Sequence, residues 1–259
     1  MTGCGCGRAS RRGHRGGTGG YLFGLFLLLL PATGAWASSH GLRSCADVAL
    51  VLAIDASGSI DDREFRLQQH GYEMAFRDET VHVALGAAGR VDVAAVIWGD
   101  ADFAPQILPF RRLASPRDAE GFAQELGAIP RITTGNTGLG TGLNHALDLL
   151  EDPAVCAAQK IVDLSGDGRQ MTARGRFGVI PLHSVRQRAE AMGVTINALA
   201  IETDERQLSD YFRKRVITGA SAFVMRAADF HDFRDAITDK LVRELMAGVP
   251  RCSGPDCGG

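Results

Sequence analysis

Asp55, Ser57 and Ser59 alternate through the stretch LVLAIDASGSIDDREF, where a run of apolar β-formers breaks into short oxygen-bearing side chains just ahead of a helical pattern. Three chemistries could use that spacing. Asp55 could be a phosphotransfer nucleophile, but such an enzyme needs a general acid at hand, and Ser57, two residues on, cannot serve as one. The serines could do no more than satisfy free backbone N–H groups in a capped strand-to-helix turn. The third chemistry is a hard-cation site, since oxygens on alternate residues of a tight loop can converge on one ion. Mg²⁺ takes oxygen ligands at about 2.0–2.1 Å in an octahedron and keeps several waters. The spacing suits this reading best. Asp61 and Glu64 follow at capping-box spacing and belong to the helix start rather than to a site.

Two more segments hold residues of the same kind. TTGNTGLGTGLNHALDLL contains Gly135, Gly138, Gly140 and Gly142, but no strand precedes them and no Lys-Ser/Thr pair follows, so a nucleotide-binding P-loop fails its own context. What remains is Thr137 in a glycine-rich turn that opens a helix. IVDLSGDGRQM is a buried-strand pattern that ends in Ser165-Gly166-Asp167-Gly168. An isolated Asp-Gly is usually a turn, but this one lies where a strand ends. Five histidines (His70, His82, His145, His183, His231) are scattered over different elements and suggest no catalytic group. Asp100 and Asp102 follow the end of a strand and could shape ligand preference, although solvated loop acids are the simpler reading.

These residues need a framework that brings residues 55–59, 137 and 167 together. Short runs apolar on both faces read as buried parallel strands at 48–54, 91–98, 159–165, 195–201 and 222–227. PQILPF, with two prolines, reads as an edge strand. Helical patterns lie at 62–77, 116–128, 138–151, 182–192, 205–216 and 229–247. Strand and helix alternate without an internal repeat or linker. The expected fold is therefore α/β, a single domain with a doubly wound, mostly parallel central sheet flanked by helices. Right-handed crossovers bring the strand-to-helix loops to the carboxyl edge of such a sheet, where ligands bind. The loops at 55–61, 99–104, 165–180 and 202–205 belong to that edge, and the loop entering the helix at 138 can reach it.

The ends of the chain read differently. Arg8, Arg11, Arg12 and Arg15 precede the apolar run YLFGLFLLLL, then Pro31 and the small-residue site Ala35-Trp36-Ala37. Basic head, apolar middle and A-x-A end predict a signal peptide over 1–37. The run is short and interrupted for a membrane span of roughly 20 apolar residues. The predicted leader takes four of the 28 basic residues and none of the 30 acids, so the mature net charge is about −6. That balance disfavours nucleic acid and anionic membranes as partners. The expectation is a periplasmic or secreted protein without stable membrane insertion after cleavage, with its domain at 38–249 and a flexible Cys/Gly tail at 250–259.

Cleavage would leave Cys45, Cys156, Cys252 and Cys257, none at C-x-x-C spacing. In an oxidising compartment they read as disulfide partners. Domain termini commonly lie close together, so Cys45, just before the first strand, is expected to pair with Cys252, just after the last helix.

The three motifs, in this order and on this architecture, resemble a von Willebrand factor type A (VWA) domain. Within that family they resemble the bacterial secreted subset known as a domain of unknown function, DUF1194. The stretches DASGSIDDREFRLQQHGYEMAFRD, GNTGLGTGLNHAL, IVDLSGDG and ITGASAFVMRAADFHDFRDAI carry the resemblance, over about residues 46–247. It implies a metal-ion-dependent adhesion site (MIDAS). Ser57 and Ser59 would be direct ligands, Asp55 and Asp167 would coordinate directly or through water, and Thr137 would bind in the ligand-bound form. It implies Mg²⁺ or Mn²⁺, a protein partner presenting an acidic side chain as the last ligand, and no catalysis. A metal-dependent phosphohydrolase using Asp55 is the enzymatic alternative.

Overall fold

The computed structural model describes residues 45–171 and 179–248. Among these, the chain runs β1 (Ala46–Asp55), α1 (Asp62–Arg77), α2 (Glu79–Ala88), β2 (Val91–Trp98), β3 (Gln106–Leu113), α3 (Pro116–Gly127) and α4 (Leu139–Glu151). It continues through β4 (Ala157–Gly166), α5 (Leu182–Ala191), β5 (Thr195–Ile201), α6 (Leu208–Arg215), β6 (Val224–Ala227) and α7 (Phe233–Met246). The expected leader at 1–37 and tail at 250–259 lie outside the described residues.

The six strands form one sheet in the order β3-β2-β1-β4-β5-β6. Only β2 and β3 pair antiparallel. β3 is the edge strand that its prolines predict, although it extends to Leu113. Ala95 pairs with Leu108 and Val93 with Arg111, so Pro109 and Phe110 together oppose Ala94. This bulge accommodates a residue that has no N–H for the ladder.

The side-chain period of two explains why β1 is apolar throughout. Val48, Leu50, Leu52 and Ile54 join one core with residues of α1, α2, α3 and α7. Ala49, Val51 and Ala53 join the other, with α4, α5 and α6. The sheet is thus covered on both faces. Among the described residues no helix is long and apolar enough to cross a membrane.

Helix α1 begins where its capping box predicts. Asp61 Oδ1 accepts from the N–H groups of Arg63 (2.7 Å) and Glu64 (2.8 Å), and the Asp61 N–H donates to Glu64 Oε2 (2.8 Å). Helix α2 is not predicted from the sequence. Asp78 ends α1 and caps α2, its carboxylate accepting from the Thr80 N–H at 2.8 Å.

The expected Cys45–Cys252 bridge is corrected: Cys45 is bonded to Cys156, with Cα atoms 4.8 Å apart. Cys252 lies outside the described residues. The reason is strand order. β1 and β4 are parallel neighbours with Ala46 in register with Ala157, so the residues just before each strand stand side by side. Proximity of the termini says nothing of which strand adjoins β1.

One charged group sits inside the first core. Lys240 of α7 is fully buried, with Nζ 2.7 Å from Asp163 Oδ1 of β4 and 2.7 Å from Glu244 Oε1. Asn197 Nδ2 also donates to Glu244 Oε1, at 2.9 Å. Burial, then the Asp163 charge, hold the Glu244 carboxyl well above its ordinary range. Glu244 therefore holds its proton more readily, which limits the negative charge buried beside Lys240.

Candidate metal centre

The strand order reverses between β1 and β4, and the crevice beyond that reversal is where an open α/β sheet offers a binding site. Asp55 is the last residue of β1 and Asp167 follows the last residue of β4. Ser57 and Ser59 lie in the β1–α1 loop, and Thr137 lies two residues before α4. The structure brings all five predicted residues to this one place.

Their side chains form a connected chain of contacts. The Ser57 hydroxyl is 3.3 Å from that of Ser59 and 3.3 Å from that of Thr137. The Ser59 hydroxyl donates to Asp167 Oδ1 at 2.7 Å. Asp55 Oδ1 accepts from the Ser57 N–H at 2.8 Å, while Asp55 Oδ2 is buried with no hydrogen-bond partner among the described residues. Asp55 and Ser57 are fully buried at the floor, Thr137 and Asp167 are buried, and Ser59 is exposed at the mouth.

The electrostatics follow from burying two acids together. Loss of solvent, then the charge of Asp167, push the Asp55 carboxyl up to about 8, against the pull of its Ser57 hydrogen bonds. Burial also raises Asp167, opposed by the hydrogen bond from Ser59. Among the described residues no three His, Cys, Asp or Glu side chains gather as a metal-holding group. This set has two carboxylates and takes its remaining oxygens from hydroxyls, a hard-donor mixture that suits Mg²⁺ or Mn²⁺ better than soft thiolate-seeking metals.

Residues that the sequence pattern does not single out hold this cluster in place. Gln68 of α1 donates through Nε2 to the Asp55 carbonyl at 2.9 Å and accepts from the Ser165 hydroxyl at 2.7 Å. The Tyr72 hydroxyl donates to Ser165 Oγ at 3.1 Å. The Arg131 guanidinium reaches the β1–α1 loop, donating to the carbonyls of Ser57 (2.9 Å), Ala56 (3.4 Å) and Ile60, and to Asp62 Oδ1 (2.9 Å). The Gly58 N–H donates to the Gly135 carbonyl at 2.6 Å. A Cβ on Gly58 would stand 2.8 Å from that oxygen, so the close approach of the two loops requires glycine there. Nothing in the local pattern around Gln68 or Arg131 marks them, because their acceptors lie far away in sequence or on the main chain.

A family model described as "Protein of unknown function (DUF1194)" matches residues 44–249. The chain belongs to this family. No curated protein sequence matches it. Several solved structures share the fold. One is the vWF domain of the type V pili tip protein Mfa5 from Porphyromonas gingivalis, at 14% identity and TM-score 0.56, covering 82% of this chain and 99% of that one. Another is proximal thread matrix protein 1 from the mussel byssus, in a structure whose MIDAS motif is occupied by zinc. It shows 22% identity and TM-score 0.54, covering 78% of this chain and 48% of that one. A third is the pilus adhesin SpaC from Lactobacillus rhamnosus GG, at 13% identity and TM-score 0.57, covering 80% of this chain and 31% of that one. The DUF1194 chain thus spans about half of the mussel protein and a third of the adhesin. At these identities the likeness shows the fold, which is that of a vWF A domain.

Proposed function

We propose that this DUF1194 protein binds a protein partner through a divalent cation, Mg²⁺ or Mn²⁺, held by Asp55, Ser57, Ser59, Thr137 and Asp167, and performs no chemistry of its own. The observation that carries the reading is Asp55 Oδ2, a fully buried carboxyl oxygen beside these hydroxyls that has no hydrogen-bond partner among the described residues. An unsatisfied buried acceptor is costly, and a cation would supply the missing interaction while neutralising two adjacent acids. With only two carboxylates and three neutral hydroxyls as protein donors, such a site would remain electrophilic. An acidic side chain from the partner suits it as a last ligand. The exposure of Ser59 supports access for such a group from that side.

A hydrolase using Asp55 draws less support. Asp55 is buried, and the side chains around it are hydroxyls and a second acid of the same loop cluster. The adhesins and matrix protein that share the fold fit a binding role and a secreted or periplasmic location. So does the leader at 1–37, whose removal would leave the domain at 38–249; mass spectrometry of the exported chain should find it beginning near Ser38.

The test is titration of the folded protein with Mg²⁺ and Mn²⁺, read by calorimetry and by melting with and without chelator. Saturable binding and a cation-dependent rise in Tm are expected. Absence of both at millimolar metal would make the cation reading wrong. Pull-down from envelope extract with and without chelator then tests whether a partner depends on the ion.

A further inference from the structure

We propose that Asp100 is a positioning residue for this centre, acting through Thr137. The inference rests on the cation reading above and adds a residue outside the five ligands. Asp100 reads in the sequence as a solvated loop acid, yet it is buried, with 6% of its surface exposed. Its Oδ2 accepts from both the backbone N–H (3.0 Å) and the side-chain Nδ2 (2.8 Å) of Asn136, the residue beside Thr137. The main chain around Asp100 grips the same turn. The Asp100 N–H donates to the Thr134 carbonyl at 2.9 Å, and the Gly138 N–H donates to the Gly99 carbonyl at 3.1 Å.

Residues 134 and 136 are thus tied to Asp100 and residue 138 to Gly99, and Thr137 sits between two of the ties. Gly135 completes the turn with φ +86°, and a Cβ there would meet Asp100 Cβ at 2.8 Å. That left-handed conformation and close approach admit glycine and little else. From the other side the Met171 N–H donates to the Thr137 carbonyl at 3.0 Å, so the backbone of Thr137 is held at both flanks. Among the described residues, the side-chain contact that orients the Thr137 hydroxyl within the cluster is the one with Ser57 at 3.3 Å. Its position therefore depends on the turn, and the turn depends on a doubly accepting carboxylate oxygen. Asp100 Oδ1 also accepts from the Asp102 N–H at 3.2 Å. A role confined to shaping the 99–104 loop is the competing account.

The two accounts separate in a double-mutant cycle read by Mn²⁺ affinity, with melting in chelator as the control for folding. Wild type, Asp100→Ala, Thr137→Ala and the double variant are titrated with Mn²⁺ alone. Removing a group that orients a metal ligand typically costs about 10–100-fold in affinity. Asp100→Ala is expected to weaken Mn²⁺ binding by about tenfold or more, and the double variant to bind no more weakly than Thr137→Ala alone. If Asp100→Ala does not fold, Asn136→Ala, which removes only the side-chain bond, takes its place in the cycle under the same expectation. Wild-type affinity in the Asp100 or Asn136 variant, or additive losses in the double variant, would overturn the proposal. Failure of the wild type to bind Mn²⁺ would overturn the cation reading and this inference together.

Discussion

If Asp55 must be ionised to hold a cation, metal affinity should depend steeply on pH in a range where an ordinary carboxylate would show none. Burial and Asp167 push Asp55 up to about 8 in the metal-free protein, against an ordinary value of 3.8. At pH 7, one unit below, only about one metal-free molecule in ten carries the ionised form. The Kd for Mn²⁺ should therefore fall about tenfold per pH unit from pH 6 to pH 8 and level off above, with Asp167, also raised, steepening the acidic end. Each ion bound should release close to one proton near pH 7, measurable by calorimetry in buffers of different ionisation enthalpy. The contribution of Asp55 to the stability of the metal-free domain runs the opposite way. Between the unfolded and folded values of Asp55 the folded state holds the extra proton, so this one group's contribution is full below about pH 4 and declines as pH rises towards 8. A Kd constant from pH 6 to 8, with no proton released, would refute the account of Asp55 as a buried acid that a cation discharges.

Three further perturbations probe other parts of the molecule. Asp167→Ala should abolish the cation-dependent rise in Tm while leaving the melt in chelator unchanged or higher, because it removes the second acid that opposes ionisation of Asp55. Lys240→Met should cost about 3–5 kcal/mol, since it strands Asp163 beside Glu244 in the core, and should lower Tm by about 10 °C in a thermal melt. Replacing both Cys45 and Cys156 by Ser opens a loop with a sequence separation of 111 residues. In the chain-entropy model this removes up to about 5 kcal/mol, seen as a lower denaturation midpoint; a midpoint equal to that of wild type would exclude the bridge as a stabiliser.

How far the sequence discloses this protein depends on whether a feature is set by near neighbours or by strand order. The strands at 91–98 and 195–201 are read to the residue, because a strand covered on both faces is a mainly apolar run that ends where turn-forming and charged residues begin. Helix α2 escapes because it is short and buries only Val81, Ala84 and Leu85, too few to set a period, and because its cap, Asp78, also closes α1. The alternation of Asp55, Ser57 and Ser59 is visible locally, and the β-strand, loop and helix around it say which edge it faces. Thr137 and Asp167 can be joined to it only by a topology that brings their loops to the same crevice, which the alternating α/β pattern supplies.

Pairings across that topology are not written in any local pattern. Cys156 meets Cys45 because β4 adjoins β1, and Lys240 is buried because α7 lies over Asp163 of the same β4. A lysine and a glutamate four apart on a helix look from the sequence like a solvated pair, and only the third charge beneath them makes them a core element. Asp100 belongs to the same class. Its burial follows from β2 lying beside β1, which sets residues 99 and 100 against the turn that carries Thr137. The oxygens that could hold an ion are thus legible from type and spacing, whereas the groups that aim them depend on neighbours 30 or more residues away, as Asp100 and Asn136 are. For this fold, mutagenesis guided by the ligand motif alone would miss the residues on which its geometry rests.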